Sequence, residues 1–197
     1  MRIYLATGNA HKLREFSVLA RAGQPELEIA GPPAMPAVAE DTGTFAGNAR
    51  KKAVALKATL PPEAWVLADD SGLCVEALGG APGVESAYYA GPAGDGAANL
   101  ARLVQAMRGV PAKQRGAYFT CVLVLLPGIS GAEHVFEGHC EGRLQSEPAG
   151  SEGFGYDPLF VPVGHTETYA QLGDAIKNTI SHRAVAWRRL TEWLRGR

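Results

Sequence analysis

"LADDSGLCVEALGGAPGV", residues 67–84, sets two adjacent aspartates at the close of an apolar run and follows them with serine and glycine. The run "WVLAD" ending at Asp69 predicts a buried strand, "LCVEAL" a second one, and "GGAPG" the turn that leaves it. Two like charges side by side cost free energy unless water, a cation or a bound proton compensates them. Asp69 and Asp70 therefore mark a place where the chain does more than pack.

Outward from this stretch the pattern alternates between strand and helix. "RIYLAT" and "LEIA" predict short buried strands. Asn9 is placed to cap a helix carrying Leu13, Phe16, Leu19 and Ala20 on one face, and Thr44 to cap another through Phe45, Ala49, Leu56 and Leu60, stopped by Pro61-Pro62. Residues 31–36 are proline- and glycine-rich loop, and Asp95 to Met107 predicts a third helix. "AYFTCVLVLL" and "EHVFEGHCEGRL" predict a hairpin around "PGISGA", "PLFVPV" a further strand, and Ala184, Trp187, Leu190 and Leu194 the buried stripe of a last helix. Interspersed elements with one hairpin imply an α/β fold on a mixed sheet. With no repeat and no long linker, residues 1–197 read as one domain.

Apolar residues make up 46% and charged residues 20% of the 197, the balance of a soluble globular protein. A net charge of -1 argues against a non-specific nucleic-acid binder. From Lys177 to Arg197 six cations face the single acid Glu192, either a solvated helix face or an anion-binding surface. Cys74, Cys121 and Cys140 are widely spaced and without CxxC pairs, so they read as reduced thiols and not as a zinc site. No apolar run reaches membrane-spanning length and "MRIYLATGN" is too short for a signal peptide, so a cytoplasmic protein is expected.

Four polar stretches carry candidate chemistry. "TGNAHK" (Thr7, Gly8, Asn9, Ala10, His11, Lys12) lies at a strand-to-helix junction, where free N–H groups, a hydroxyl, an amide and a cation could hold phosphate oxygens; an ordinary cap with a surface lysine is the other reading. It lacks the spacing of a Walker A loop. "EDTG" (40–43) and "DDSG" (69–72) offer carboxylates without nearby His or Cys, a set suited to Mg²⁺, or else two capped turns. Asp41-Thr-Gly and Asp70-Ser-Gly also match the aspartic-peptidase triplet, but the helix pattern between them spoils the required duplication of β-rich halves. "GFGYDP" (153–158) fails the dinucleotide fingerprint, while Phe154 and Tyr156 could stack on a base. "KNTISHR" (177–183) places His182 and Arg183 near a helix start, pointing in different directions.

Taken in order, "TGNAHKLREF", "EDTGTFAGNARKKA", "ADDSGLCVEALGGAPGVESA", "EPAGSEGFGYDPLF" and "SHRA" resemble the motifs of the inosine triphosphate pyrophosphatase family over nearly the whole chain. The resemblance implies an elongated mixed α/β fold with a nucleotide cleft between two lobes, and a homodimer. It implies Mg²⁺-dependent hydrolysis of ITP, dITP or XTP to the monophosphate and pyrophosphate, with Mn²⁺ an alternative metal. By the same resemblance Thr7 to Lys12 bind the triphosphate, Glu40 and Asp70 hold the metal, and Asp70 accepts the proton of the attacking water. Ser71 touches substrate, and Phe154, Gly155, Tyr156, Asp157, Lys177, His182 and Arg183 complete the nucleotide site. No nucleic acid and no membrane is implied as a partner. One departure stands out: the family's "SARY" run reads "SAYY" here, with Tyr88 at the arginine position.

Overall fold

The computed structural model describes residues 1–24, 26–129 and 131–196. Six strands form one sheet in the order β2-β1-β3-β4-β5-β6: β1 Arg2–Leu5, β2 Glu28–Ala30, β3 Trp65–Val75, β4 Gly116–Leu126, β5 His134–Leu144 and β6 Phe160–Pro162. β1 pairs parallel with β2 and β3, and β6 pairs antiparallel with β5, so the sheet is mixed as expected. The helices are α1 Ala10–Gly23, α2 Phe45–Lys57, α3 Gly96–Ala106, α4 Tyr169–Ile180 and α5 His182–Arg195. Asn9, Thr44, Asp95 and Thr168 cap the first four, each side-chain oxygen accepting from a backbone N–H of the first turn.

Three elements differ from the sequence expectation. The expected strands "WVLAD" and "LCVEAL" join in one strand, β3, that runs through Asp69, Asp70, Ser71 and Gly72 and ends at Val75, Glu76–Leu78 forming a 3-10 turn instead. α2 ends at Lys57, short of the prolines, and the Lys57 ammonium donates to the carbonyls of Pro62, Ala64 and Pro127. α4 is unanticipated; Thr168 and Gln171 form a capping box at its start, and Gly173 interrupts it with a φ of 75°. Ser130, in the turn expected between β4 and β5, and Arg197, in the basic tail, lie outside the described residues.

The chain divides into two compact units. The first comprises Met1–Asp70, Cys121–Gly138 and Arg183–Arg197. Its strands are covered on both faces, and the period of two in a strand decides which residue meets which helix. Leu67 of β3 and Cys121, Leu123 and Leu125 of β4 share a core with Phe16 and Leu19 of α1 and Trp187 and Leu190 of α5. Val66, Ala68 and Val124 turn the other way, onto Ala49, Ala53 and Leu56 of α2. The second unit, Ser71–Thr120 with His139–His182, has one core. Leu73, Val75 and Phe119 there meet Leu103 and Met107, together with Tyr156, Phe160 and Tyr169.

Candidate active site

The alternation along β3 answers the question of the paired aspartates. Asp69 continues the face of Leu67 and Asp70 the face of Ala68, so the two carboxylates leave the strand on opposite sides. Each then meets its own cations. Asp69 Oδ1 pairs with Lys12 of α1, and Asp69 Oδ2 accepts from Cys121 Sγ at 3.2 Å with Arg183 Nε of α5 at 3.8 Å. Arg183 Nη1 donates in turn to the buried Glu15 at 3.0 Å. Asp70 Oδ1 accepts from Lys52 Nζ of α2 at 2.8 Å and Asp70 Oδ2 from Asn48 Nδ2 at 3.3 Å. Lys52 Nζ also pairs with Glu40 Oε1 at 2.9 Å, so carboxylates from two separate segments converge on one ammonium.

The two aspartates are electrostatically unlike. Burial alone would push the Asp69 carboxyl up, but Lys12, Arg183 and Lys52 hold it well below the usual carboxylate range. For Asp70 burial prevails and raises the carboxyl above its ordinary value against Lys52 and Lys12, with Glu40 adding to the rise. Lys52 is buried too, which would lower it, yet Asp70, Asp69 and Glu40 together raise it. Burial and the charge of Asp69 push the Cys121 thiol up, so it remains a donor.

The helix-start stretch is mostly what its local chemistry requires. Asn9 Oδ1 caps α1 by accepting from the N–H groups of His11 at 2.9 Å and Lys12 at 3.3 Å, and Thr7 Oγ1 accepts from Asn9 N at 3.1 Å. Gly8, Asn9, Ala10 and His11 are exposed, and Lys12 alone reaches inward, to Asp69. The peptidase alternative fails on geometry. Asp41 is exposed and ends on Lys51 at 2.5 Å while Asp70 is buried against α2, so the two triplets do not share a proton.

The second unit gathers the remaining candidates. Asp157 Oδ2 accepts from Lys177 Nζ of α4 at 2.7 Å and from the Phe154 N–H at 2.8 Å. The Lys177 ammonium lies 4.7 Å from the centre of the half-buried Phe154 ring. Gly153 makes this turn with a φ of 74°, and a Cβ there would overlap Asp157 Oδ2. Tyr156 packs into the core and its hydroxyl donates to the Ser86 carbonyl at 2.8 Å, so a ring available for stacking is that of Phe154 and not Tyr156. His182 is buried and stacks on Phe119 at 4.7 Å with 9° between the planes. It points into this unit while Arg183 points into the other, the divergence expected of neighbours at a helix start. Ser71 is half-buried, directly after Asp70 on β3. The basic tail proves divided: Lys177 and Arg183 are buried in ion pairs, whereas Arg188, Arg189 and Arg195 are exposed on α5.

Four residues of this arrangement escaped the sequence reading: Glu15, Asn48, Lys52 and Cys121. Asn48 and Lys52 stand four apart within the apolar stripe Ala49, Ala53 and Leu56, and Glu15 adjoins Phe16 and Leu19. A polar side chain on a helix's buried stripe was the available signal.

As to a metal, no three or more His, Cys, Asp or Glu side chains gather in a group able to hold one by themselves among the described residues. Two hard oxygen donors brought within 3 Å of a common cationic nitrogen nevertheless fit Mg²⁺, which takes one or two carboxylates and completes its shell with water and substrate phosphates.

The model of the Ham1 family matches residues 3–193. A dITP/XTP pyrophosphatase of Opitutus terrae is 58% identical over 98% of both chains, and one of Streptomyces coelicolor is 46% identical over 98% of this chain and 97% of its own. Among solved structures, a HAM1 protein from Coxiella burnetii superposes with a TM-score of 0.86 at 35% identity, covering 100% of both chains. The Ham1 protein of Staphylococcus aureus gives 0.84 at 35% identity over 100% of this chain and 99% of that one.

Proposed function

The chain belongs to the Ham1 family, and on that premise we propose that it hydrolyses the non-standard purine nucleotides dITP, XTP and ITP to the monophosphate and pyrophosphate. It is a nucleoside-triphosphate pyrophosphatase, a hydrolase of a phosphoric anhydride. The observation that carries the reading is the convergence of Glu40 and Asp70 on Lys52, and burial, by raising the Asp70 carboxyl, makes it the stronger proton acceptor. Glu40 and Asp70 would hold Mg²⁺, or Mn²⁺ in its place. Such an ion supplies positive charge to the phosphates and acidity to bound water.

Asp70 takes the proton of the water that attacks the α-phosphorus, the bond to the bridging oxygen breaks, and pyrophosphate leaves. Negative charge builds on that leaving group, and we assign Lys12 and Lys52, the cations paired with Asp69 and Asp70, to stabilise it. Residues Thr7 to His11 supply backbone and hydroxyl donors to the triphosphate, and Ser71 contacts substrate beside Asp70. In the second unit, Phe154 stacks on the base, Gly155, Tyr156 and Asp157 shape the turn that carries it, and Lys177 is steadied by Asp157. His182 donates to the 6-oxo group that hypoxanthine and xanthine share, and Arg183, which points the other way, faces a phosphate. Adenine presents an amino donor there, and a mispaired donor costs about 10²-fold in discrimination.

The same reading takes residues 1–197 as one catalytic domain and places a homodimer in the cytoplasm. Among the described residues no helix is long and apolar enough to cross a membrane. Pyrophosphate release measured across dITP, XTP, ITP, GTP and ATP, with and without Mg²⁺, tests the proposal. Turnover of the first three with Mg²⁺ supports it; equal turnover of ATP, or none of dITP, contradicts it.

A further inference from the structure

Cys121 lies in a row of β4 residues, with Leu123 and Leu125, that faces α1 and α5. A leucine would suit the packing of that row, yet a thiol stands at the position where β4 passes Asp69. The last side-chain torsion of aspartate is broad, so the plane of a buried carboxylate is set by its partners. At Asp69, Lys12 binds one oxygen, and Cys121 Sγ approaches the other at 3.2 Å; Arg183 Nε at 3.8 Å from that oxygen is an ion pair too long for a hydrogen bond. Rotation of the carboxylate would carry its Lys12-bearing oxygen away and move the ammonium with it.

We infer that Cys121 is a positioning residue: its thiol, by donating to Asp69, fixes the carboxylate that seats Lys12 for the triphosphate. The inference rests on the proposed role of Lys12 in binding the triphosphate. Cys121 touches no substrate and performs no thiol chemistry. Its contribution is a hydrogen-bond donor small enough for a tightly filled interior, one that serine reproduces and that alanine or valine does not.

The test compares wild type with C121A, C121S and C121V by Mg²⁺-dependent pyrophosphate release from dITP, with thermal midpoints recorded alongside. C121A and C121V are expected to lose about tenfold in kcat/KM and C121S to stay within about threefold of wild type, because a hydrogen bond to a charged group is removed in the first two and kept in the third. A packing role would give the opposite order, with the apolar variants active and the serine worst, and that order overturns the inference. So does wild-type kcat/KM in C121A, or in folded C121V should C121A fail to fold. A wild-type protein that releases no pyrophosphate from dITP overturns the proposed function itself, a result distinct from an active wild type with an equally active C121A.

Discussion

Replacing Lys52 by methionine removes the cation that Glu40 and Asp70 share, and keeps the length of the side chain. Lys52 Nζ stands 2.9 Å from Glu40 and 2.8 Å from Asp70, and its side chain is 9% exposed. Stripping one partner from a buried ion pair costs about 3–5 kcal/mol, and the lower end applies because the Glu40 side chain is still 23% exposed and can turn to water. For a chain of this size about 3 kcal/mol lowers the thermal midpoint by about 6–12 °C. The pH dependence gives the sharper signature. Burial already sets the folded Asp70 carboxyl above its ordinary value. A group raised in this way supports the fold when protonated, below its unfolded pKa, and that support is lost as pH rises through the folded value. Without Lys52 the folded value climbs further, so the deficit of K52M is largest near neutrality and shrinks on acidification. Differential scanning calorimetry of both proteins between about pH 8 and about pH 5 measures it. A midpoint for K52M equal to wild type, or a gap that widens toward acid, would refute the reasoning.

Asp70→Asn should lower turnover by about 10³-fold, the loss of a general base, while circular dichroism stays that of wild type; wild-type turnover contradicts the base assignment. Lys177→Met strands Asp157 in the core and should destabilise by about 3–5 kcal/mol, with K177M/D157N recovering part of the loss in a double-mutant cycle on urea melts. Gly153→Ala places a methyl against Asp157 Oδ2 at a positive φ and should lower stability by about 1–3 kcal/mol on the same melts.

Much of this architecture was legible because it is local. The caps at Asn9 and Thr44 and the apolar stripes of α1 and α5 depend on neighbours a few residues away, and the chain displays them. Asp69 and Asp70 read as the end of a strand for the same reason: no nearby residue shows how two charges could be buried. Their partners come from α1, α2 and α5, and only the assembled sheet brings Lys12, Lys52 and Arg183 to opposite faces of β3. Arg183 was foreseen at a helix start but not its partner Glu15, 168 positions earlier. α4 carried a readable capping box at Thr168 and Gln171, and Gly173 broke the helical period that would have announced it.

The direct test of paired carboxylates gripping one divalent ion is a Mn²⁺ titration followed by electron paramagnetic resonance, in the presence of a non-hydrolysable dITP analogue. Wild type should take up the ion tightly, and Glu40→Gln and Asp70→Asn should each weaken that uptake about tenfold or more, as loss of a charged oxygen ligand requires. Undiminished Mn²⁺ uptake by both variants, folded and with nucleotide bound, would contradict the shared site.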